Sequence, residues 1–184
     1  MAVFLIISGF ADRYLASLVR MYKSYTWVKR SFKNKIGKVD IPAGIPMEKK
    51  RVWICWLQGM ENAPEVVKDC YKSVQYWLND WEVIVITKEN MSEYVDFPDF
   101  ILKKWQRGVI TNTHLSDLLR LELLIRYGGL WLDATTYLTG KLPLYVEKRD
   151  FFVYRNGWMD QEMINMASWF IYAGKTNNKL LFET

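Results

Sequence analysis

One histidine, His114, in 184 residues excludes every site built on two imidazoles, including the HExxH metalloproteases and His-rich zinc sites. Two cysteines, Cys55 and Cys70, are too few for a disulfide framework and lack CxxC spacing; they read as small buried hydrophobes in a reducing compartment. No apolar run approaches the ~20 residues of a membrane-spanning helix. The first ten residues, MAVFLIISGF, fall short, and the first basic residue after them is Arg13, which reverses the charge order of a secretory signal. Hydrophobic residues make up 51% and charged residues 24%, which excludes a disordered, collagen-like or coiled-coil chain. The length suits one domain with an appendage.

Acidic charge is scarce at the N-terminus. Residues 1–51 hold eleven Lys/Arg against three acids, net +8, while the rest holds 14 against 17, net −3. Between Asp12 and Lys38 the spacing of Leu15, Leu18, Val19 and Tyr22 predicts a helix. Basic residues interleaved with aromatics match a helix lying on an anionic membrane surface or a solvated helix packing on its own domain. No nucleic-acid-binding motif accompanies them, so nucleic acid is not an expected partner. The run IGKVDIPAGIPMEKK, residues 36–50, breaks regular structure and reads as a linker. Two regions follow: a basic helical segment with its linker, 1–50, and a core, 51–184.

Within the core, Val52–Leu57 reads as a buried strand, Ala63–Leu78 as a helix burying Val66, Val67, Cys70, Val74 and Trp77, and Trp81–Thr87 as a second buried strand. Such a βαβ unit implies an α/β fold with a mostly parallel sheet. Pro98–Arg107 is expected to form a short helix stopped by Gly108. Leu115–Tyr127 follows as a helix capped by Thr113, buried nearly all round, and ended by Gly128-Gly129. Asp117 and Arg120 stand three apart on one face of it, in a stripe that starts at His114. Leu130–Leu138 reads as a strand with an acid inside. A carboxylate there is costly unless it meets a cation, a metal or strong donors, so Asp133 is a site candidate on physical grounds alone. Ligands of open parallel sheets sit beyond the carboxyl ends of the strands, where Asp133 falls.

The stretch SDLLRLELLIRYGGLWLDAT, residues 116–135, resembles the S-D-x-x-R and Y-G-G-x-Y/W-x-D-x-D signature of the DXD sugar-binding glycosyltransferases. That group includes glycosyltransferase family 32, and the bacterial capsular polysaccharide synthesis proteins within it are the most similar, with a strand reading GGxWxDAT. Val52–Pro64 resembles their opening strand and loop. The resemblance implies a GT-A fold, a Rossmann-like sheet binding a nucleotide-sugar, and transfer with retention to a glycan or lipid-linked acceptor in capsular or surface polysaccharide assembly. By position it implies that Trp56 stacks the base, that Asp117 and Arg120 hold sugar hydroxyls, and that Asp133 is the first DXD acid and the catalytic centre. The second acid is replaced by Thr135. A Mg²⁺ or Mn²⁺ ion would then rest on Asp133, Thr135 and the diphosphate, which leaves metal dependence open. A non-catalytic, membrane-attached accessory protein is the rival expectation.

Relatives of that group continue further, so the resemblance also implies a core incomplete at its C-terminus. The expected location is cytoplasmic, peripheral to the inner face of the cell membrane. Aromatic rings stack on sugars, which makes Tyr154, Trp158 and Trp169 candidates for an acceptor platform. Asp160 and Glu162 are a polar pair for the acceptor side or part of a solvated loop. Core packing accounts for most of the nine tryptophans and eleven tyrosines.

Overall fold

The computed structural model describes residues 42–155 and 166–182. The chain divides into two compact units, Met1–Asp40 and Ile41–Thr184, and the described residues belong to the second. The expected basic helix, and Trp158, Asp160 and Glu162, lie outside the described residues.

Among the described residues, five strands form one sheet in the order β2-β1-β3-β5-β4: β1 (Arg51–Cys55), β2 (Glu82–Ile86), β3 (Gly129–Leu132), β4 (Phe151–Arg155) and β5 (Met166–Ala173). β1 pairs in parallel with β2 and with β3, whereas β5 runs antiparallel to β3 and β4. The fold is therefore α/β, as the βαβ pattern implies, but the sheet is mixed rather than mostly parallel: β2, β1 and β3 pair in parallel, and β5 adds two antiparallel pairings. From β1 the chain passes through helix α1 (Glu65–Trp77) to β2 on one side. It then passes through short helices α2 (Met91–Tyr94) and α3 (Asp99–Gln106) and the long α4 (Asn112–Tyr127) to β3 on the other side. The first crossover runs from β1 to β2 and the second back past β1 to β3, and right-handed crossovers running in opposite directions put their helices on opposite faces of the sheet.

The core follows that rule. Trp53 and Trp131 turn to one face, against Leu115, Leu119, Leu123 and Leu124 of α4. Val52, Ile54, Leu130 and Leu132 turn to the other, with Val74 and Leu78 from α1 and the turn after it. The period-2 alternation of the strands makes two cores from one sheet, and each fully buried leucine contributes about 1.5–3 kcal/mol. Short helices α5 (Leu144–Glu147) and α6 (Lys179–Phe182) follow β3 and β5 in the chain.

Four expectations change. Val66 is 63% exposed, because Val67, Cys70 and Val74 already define the buried side of α1 and Val66 sits about 100° round the helix from Val67. Helix α4 starts at Asn112 rather than Leu115, since Thr111, not Thr113, is the cap: its side chain accepts from the His114 amide at 3.3 Å. The helix is also not buried all round. Asp117 and Arg126 are exposed and Leu118, Leu121 and Ile125 only half-buried, because a single side of it meets the sheet. Strand β3 ends at Leu132 instead of running to Leu138. The Asp133 amide makes the last ladder bond, to the Trp169 carbonyl at 2.9 Å, and the chain then turns with the Thr136 amide on the Asp133 carbonyl at 2.9 Å.

Ile45–Met47, within the stretch expected as a linker, lie against the end of β5. Pro46 bridges Lys175, and the Met47 amide donates to the Gly174 carbonyl at 3.2 Å.

Candidate active site

Because the chain leaves β1 for β2 on one side and returns to β3 on the other, a crevice opens between the carboxyl ends of β1 and β3, the usual ligand position of such sheets. A cavity of about 310 Å³ occupies it. Its walls are Cys55–Gln58 after β1, Asn112, Thr113, Ser116 and Arg120 on α4, and Trp131 with Asp133–Thr135 at the end of β3. Of the five residues expected from the sequence to hold the donor or a metal, four, Trp56, Arg120, Asp133 and Thr135, are therefore brought together.

Asp117 does not line the cavity. It reaches it through Arg120, whose guanidinium pairs with Asp117 at 3.0 Å and with Asp133 at 3.5 Å. Arg120 is only 7% exposed and lies over the Trp131 ring, 5.1 Å from its centroid. The Trp131 indole N–H donates to the same Asp133 oxygen at 2.9 Å. One buried cation thus pairs with two half-exposed carboxylates, and Trp131 fixes both the cation, by its ring face, and the acid, by its N–H. This answers the physical difficulty of an acid at a strand end. The Arg120, Asp117 and Asp133 set keeps a net charge of −1, which suits hydroxyl donors better than a bare anion.

Among the described residues, two buried donors on cavity-lining residues have no hydrogen-bond partner, Trp56 Nε1 and Arg120 Nε. Leaving a buried donor unsatisfied costs about 1–3 kcal/mol, and native proteins accept few such losses outside functional sites. Helix α4 adds a third element, since its first turn, Asn112 and Thr113, forms part of the wall and carries the positive end of a 16-residue helix.

His114 is not part of the site: it is exposed, and its ring Nδ1 stands 3.0 Å from Thr111 Oγ1 at the cap. The cavity stripe of α4 is Asn112, Ser116 and Arg120, at a spacing of four, rather than the spacing of three that starts at His114. A polar residue every four positions in an otherwise leucine-rich helix is the signal that finds it. Cys55 also lines the cavity, where burial pushes its thiol up to about 11. It is protonated at neutral pH and no nucleophile. Among the described residues no three His, Cys, Asp or Glu side chains group to hold a metal ion, and no helix is long and apolar enough to cross a membrane.

Comparison with known proteins adds relatives to this geometry. The model of the family described as capsular polysaccharide synthesis protein matches residues 13–184. The chain is 34% identical over 101 residues to the O-glycosyltransferase braB of Annulohypoxylon truncatum, covering 48% of this chain and 23% of that protein. It is 31% identical over 101 residues to the O-glycosyltransferase PaGT of Phomopsis amygdali, covering 48% and 24%. It is 29% identical over 120 residues to the glycosyltransferase afumC of Aspergillus fumigatus, covering 55% and 30%. The aligned stretches thus span roughly a quarter of the first two of these relatives. Among solved structures, the PaToxG glycosyltransferase superposes with a TM-score of 0.48 at 17% identity, over 89% of this chain and 68% of that one.

Proposed function

The chain belongs to the capsular polysaccharide synthesis protein family, and from that premise we propose that it is a glycosyltransferase. It transfers a sugar, with retention, from a nucleoside diphosphate donor to a glycan or lipid-linked acceptor in capsular or surface polysaccharide assembly. The observation that carries this reading is the buried Arg120, held between Asp117 and Asp133 over Trp131 in the wall of the switch-point cavity.

In this reading the donor sugar lies against Arg120 and Asp133. Asp133 accepts hydroxyl protons on the oxygen not engaged by Arg120 and Trp131, and the guanidinium donates to ring substituents. The nucleotide base packs on Trp56. The leaving diphosphate faces the positive end of α4, whose amides and dipole stabilise the charge that develops as the glycosidic bond breaks. Catalysis is then positioning and electrostatics, with no covalent side-chain nucleophile.

A divalent ion does not fit these residues as a protein-held group. Asp133 is the one carboxylate lining the cavity among the described residues, and a guanidinium already stands 3.5 Å from it, where a second cation would be repelled. No step is therefore assigned to a metal. Calorimetry with a panel of UDP- and GDP-sugars is expected to show one donor bound, with affinity little changed by Mn²⁺ or EDTA, and the binding lost in Asp133→Asn. Failure of the folded protein to bind any donor would sink the glycosyltransferase reading. Binding that requires Mn²⁺ would overturn the metal-free site.

Thr135, in place of a second acid, also favours a second reading: a membrane-attached accessory protein that binds a donor without turning it over. Release of free nucleotide in the presence of acceptor separates the two. Either way, the net +8 of residues 1–51 supports attachment to an anionic membrane on its cytoplasmic face. Co-flotation with phosphatidylglycerol vesicles is expected for the whole chain and not after deletion of residues 1–40; flotation that survives the deletion would refute the attachment.

A further inference from the structure

A second cavity, of about 260 Å³, opens on the face of the sheet opposite α4. Leu130 and Phe170, in its floor, belong to the second core cluster. Its distinguishing feature is an aromatic stack. Trp169 and Tyr154 lie face to face, 8° from parallel with centroids 5.4 Å apart, and Tyr154 meets Phe152 and Phe170 edge-on at 5.1 and 4.9 Å. Trp169 is the outermost ring and stays 41% exposed. The register of β4 against β5 shifts between Val153 and Arg155, and a bulge of this kind re-aims side chains.

The opposite wall is the loop of residues 136–143. It is pinned to α1, because the Leu138 amide donates to Ser73 Oγ at 3.0 Å. That wall carries Thr136, Thr139 and Lys141, and Lys141 makes no ion pair among the described residues. A flat ring left open beside two hydroxyls and an amine is a poor end to a core. An acyl chain would gain nothing from those polar groups. A pyranose matches both walls, with axial C–H bonds against the negative face of an indole and hydroxyls within a donor and acceptor set.

The two cavities share one turn. Thr135 lines the first and Thr136 the second, and the Asp133 amide is bonded to the Trp169 carbonyl at 2.9 Å. We propose that the second cavity is the acceptor subsite, in which a pyranose ring of the acceptor saccharide stacks on Trp169, backed by Tyr154, with Thr136, Thr139 and Lys141 holding its hydroxyls. The role as acceptor rests on the glycosyltransferase reading; the saccharide site does not.

The test is saturation-transfer NMR of the whole protein without donor, using the methyl glycosides of glucose, galactose, mannose and glucuronic acid, with decanol as an apolar probe. At least one glycoside is expected to receive saturation at its ring C–H protons. Its binding should weaken roughly tenfold in Trp169→Ala, recover most of that in Trp169→Phe, weaken in Lys141→Gln, and persist in Asp133→Asn. Lys141 is exposed, so that variant folds even where Trp169→Ala does not. Absence of glycoside contact, contact unchanged in Trp169→Ala and Lys141→Gln, or saturation of decanol alone would overturn the site. Calorimetry with the donor panel runs in parallel. Glycoside binding with no donor binding sinks the acceptor role and the transferase reading together, whereas donor binding with no glycoside binding overturns the subsite alone.

Discussion

Replacing Arg120 by alanine is expected to weaken donor binding by about two orders of magnitude and to lower stability by about 2 kcal/mol. The first figure follows from losing charge-assisted hydrogen bonds to the ligand, each worth about 1.5–3 kcal/mol. The second follows from leaving two carboxylates without their cation. Removing one partner of a fully buried pair costs about 3–5 kcal/mol, but the Asp117 and Asp133 side chains are 51% and 38% exposed, so water recovers part of it. Lysine will not rescue the variant. A point charge cannot bridge two carboxylates while lying flat on Trp131, and both tasks use the planar guanidinium. Calorimetry and urea unfolding read the two effects separately. Donor affinity within a factor of about three of the parent would remove Arg120 from the site.

Gly129→Ala is expected to destabilise the protein by roughly 3 kcal/mol or more. Gly129 opens β3 at φ +103°, a conformation that side chains rarely adopt, and its Cβ would stand 2.6 Å from the Arg51 carbonyl oxygen and 3.1 Å from Trp53 Nε1. Backbone strain of this kind costs about 1–3 kcal/mol. The contact adds to that, because Arg51 is backbone in the neighbouring strand and yields only if β1 and β3 part. Trp53 yields no more readily: it is fully buried and donates to the Gly128 carbonyl at 2.8 Å. Gly140→Ala is the control. No atom lies within 4 Å of its Cβ position, so its change should stay within about 0.5 kcal/mol. Since β1 and β3 carry Trp56 and Asp133 at their ends, the Gly129 variant should also lose donor affinity in its folded fraction. Equal urea midpoints for the two variants would contradict this account.

These two cases show different kinds of legibility. The double glycine is visible in the sequence as a helix stop, and it is one: Gly128 donates its amide to the Leu124 carbonyl at 3.0 Å. What the sequence does not show is that the second glycine is required by β1, whose Arg51 and Trp53 lie more than seventy residues earlier in the chain. In the same way Asp133 is conspicuous as an acid at the end of an apolar run. Its partners, Arg120 and Trp131, are both nearby in sequence, yet the cation, the ring and the acid meet only because α4 lies across the end of β3. The cavity stripe of α4 runs from Asn112 through Ser116 to Arg120 rather than from His114 through Asp117, because a spacing of three and a spacing of four are equally helical and only the sheet decides which faces inward.

The α/β class, the order strand, helix, strand, the helix stop at Gly128-Gly129 and the acid that marks the site are local properties, set by apolar periodicity, capping chemistry and the cost of charge in an apolar run, and the sequence by itself determined them. Tertiary structure alone decided where β3 ends, which side of α4 is buried, that Asp117 reaches the cavity only through Arg120, and that Tyr154 and Trp169 stack beneath an open cavity. Each of these depends on contacts between segments far apart in the chain, where pairing register and the geometry of the crossover settle which of several locally equal faces meets a partner.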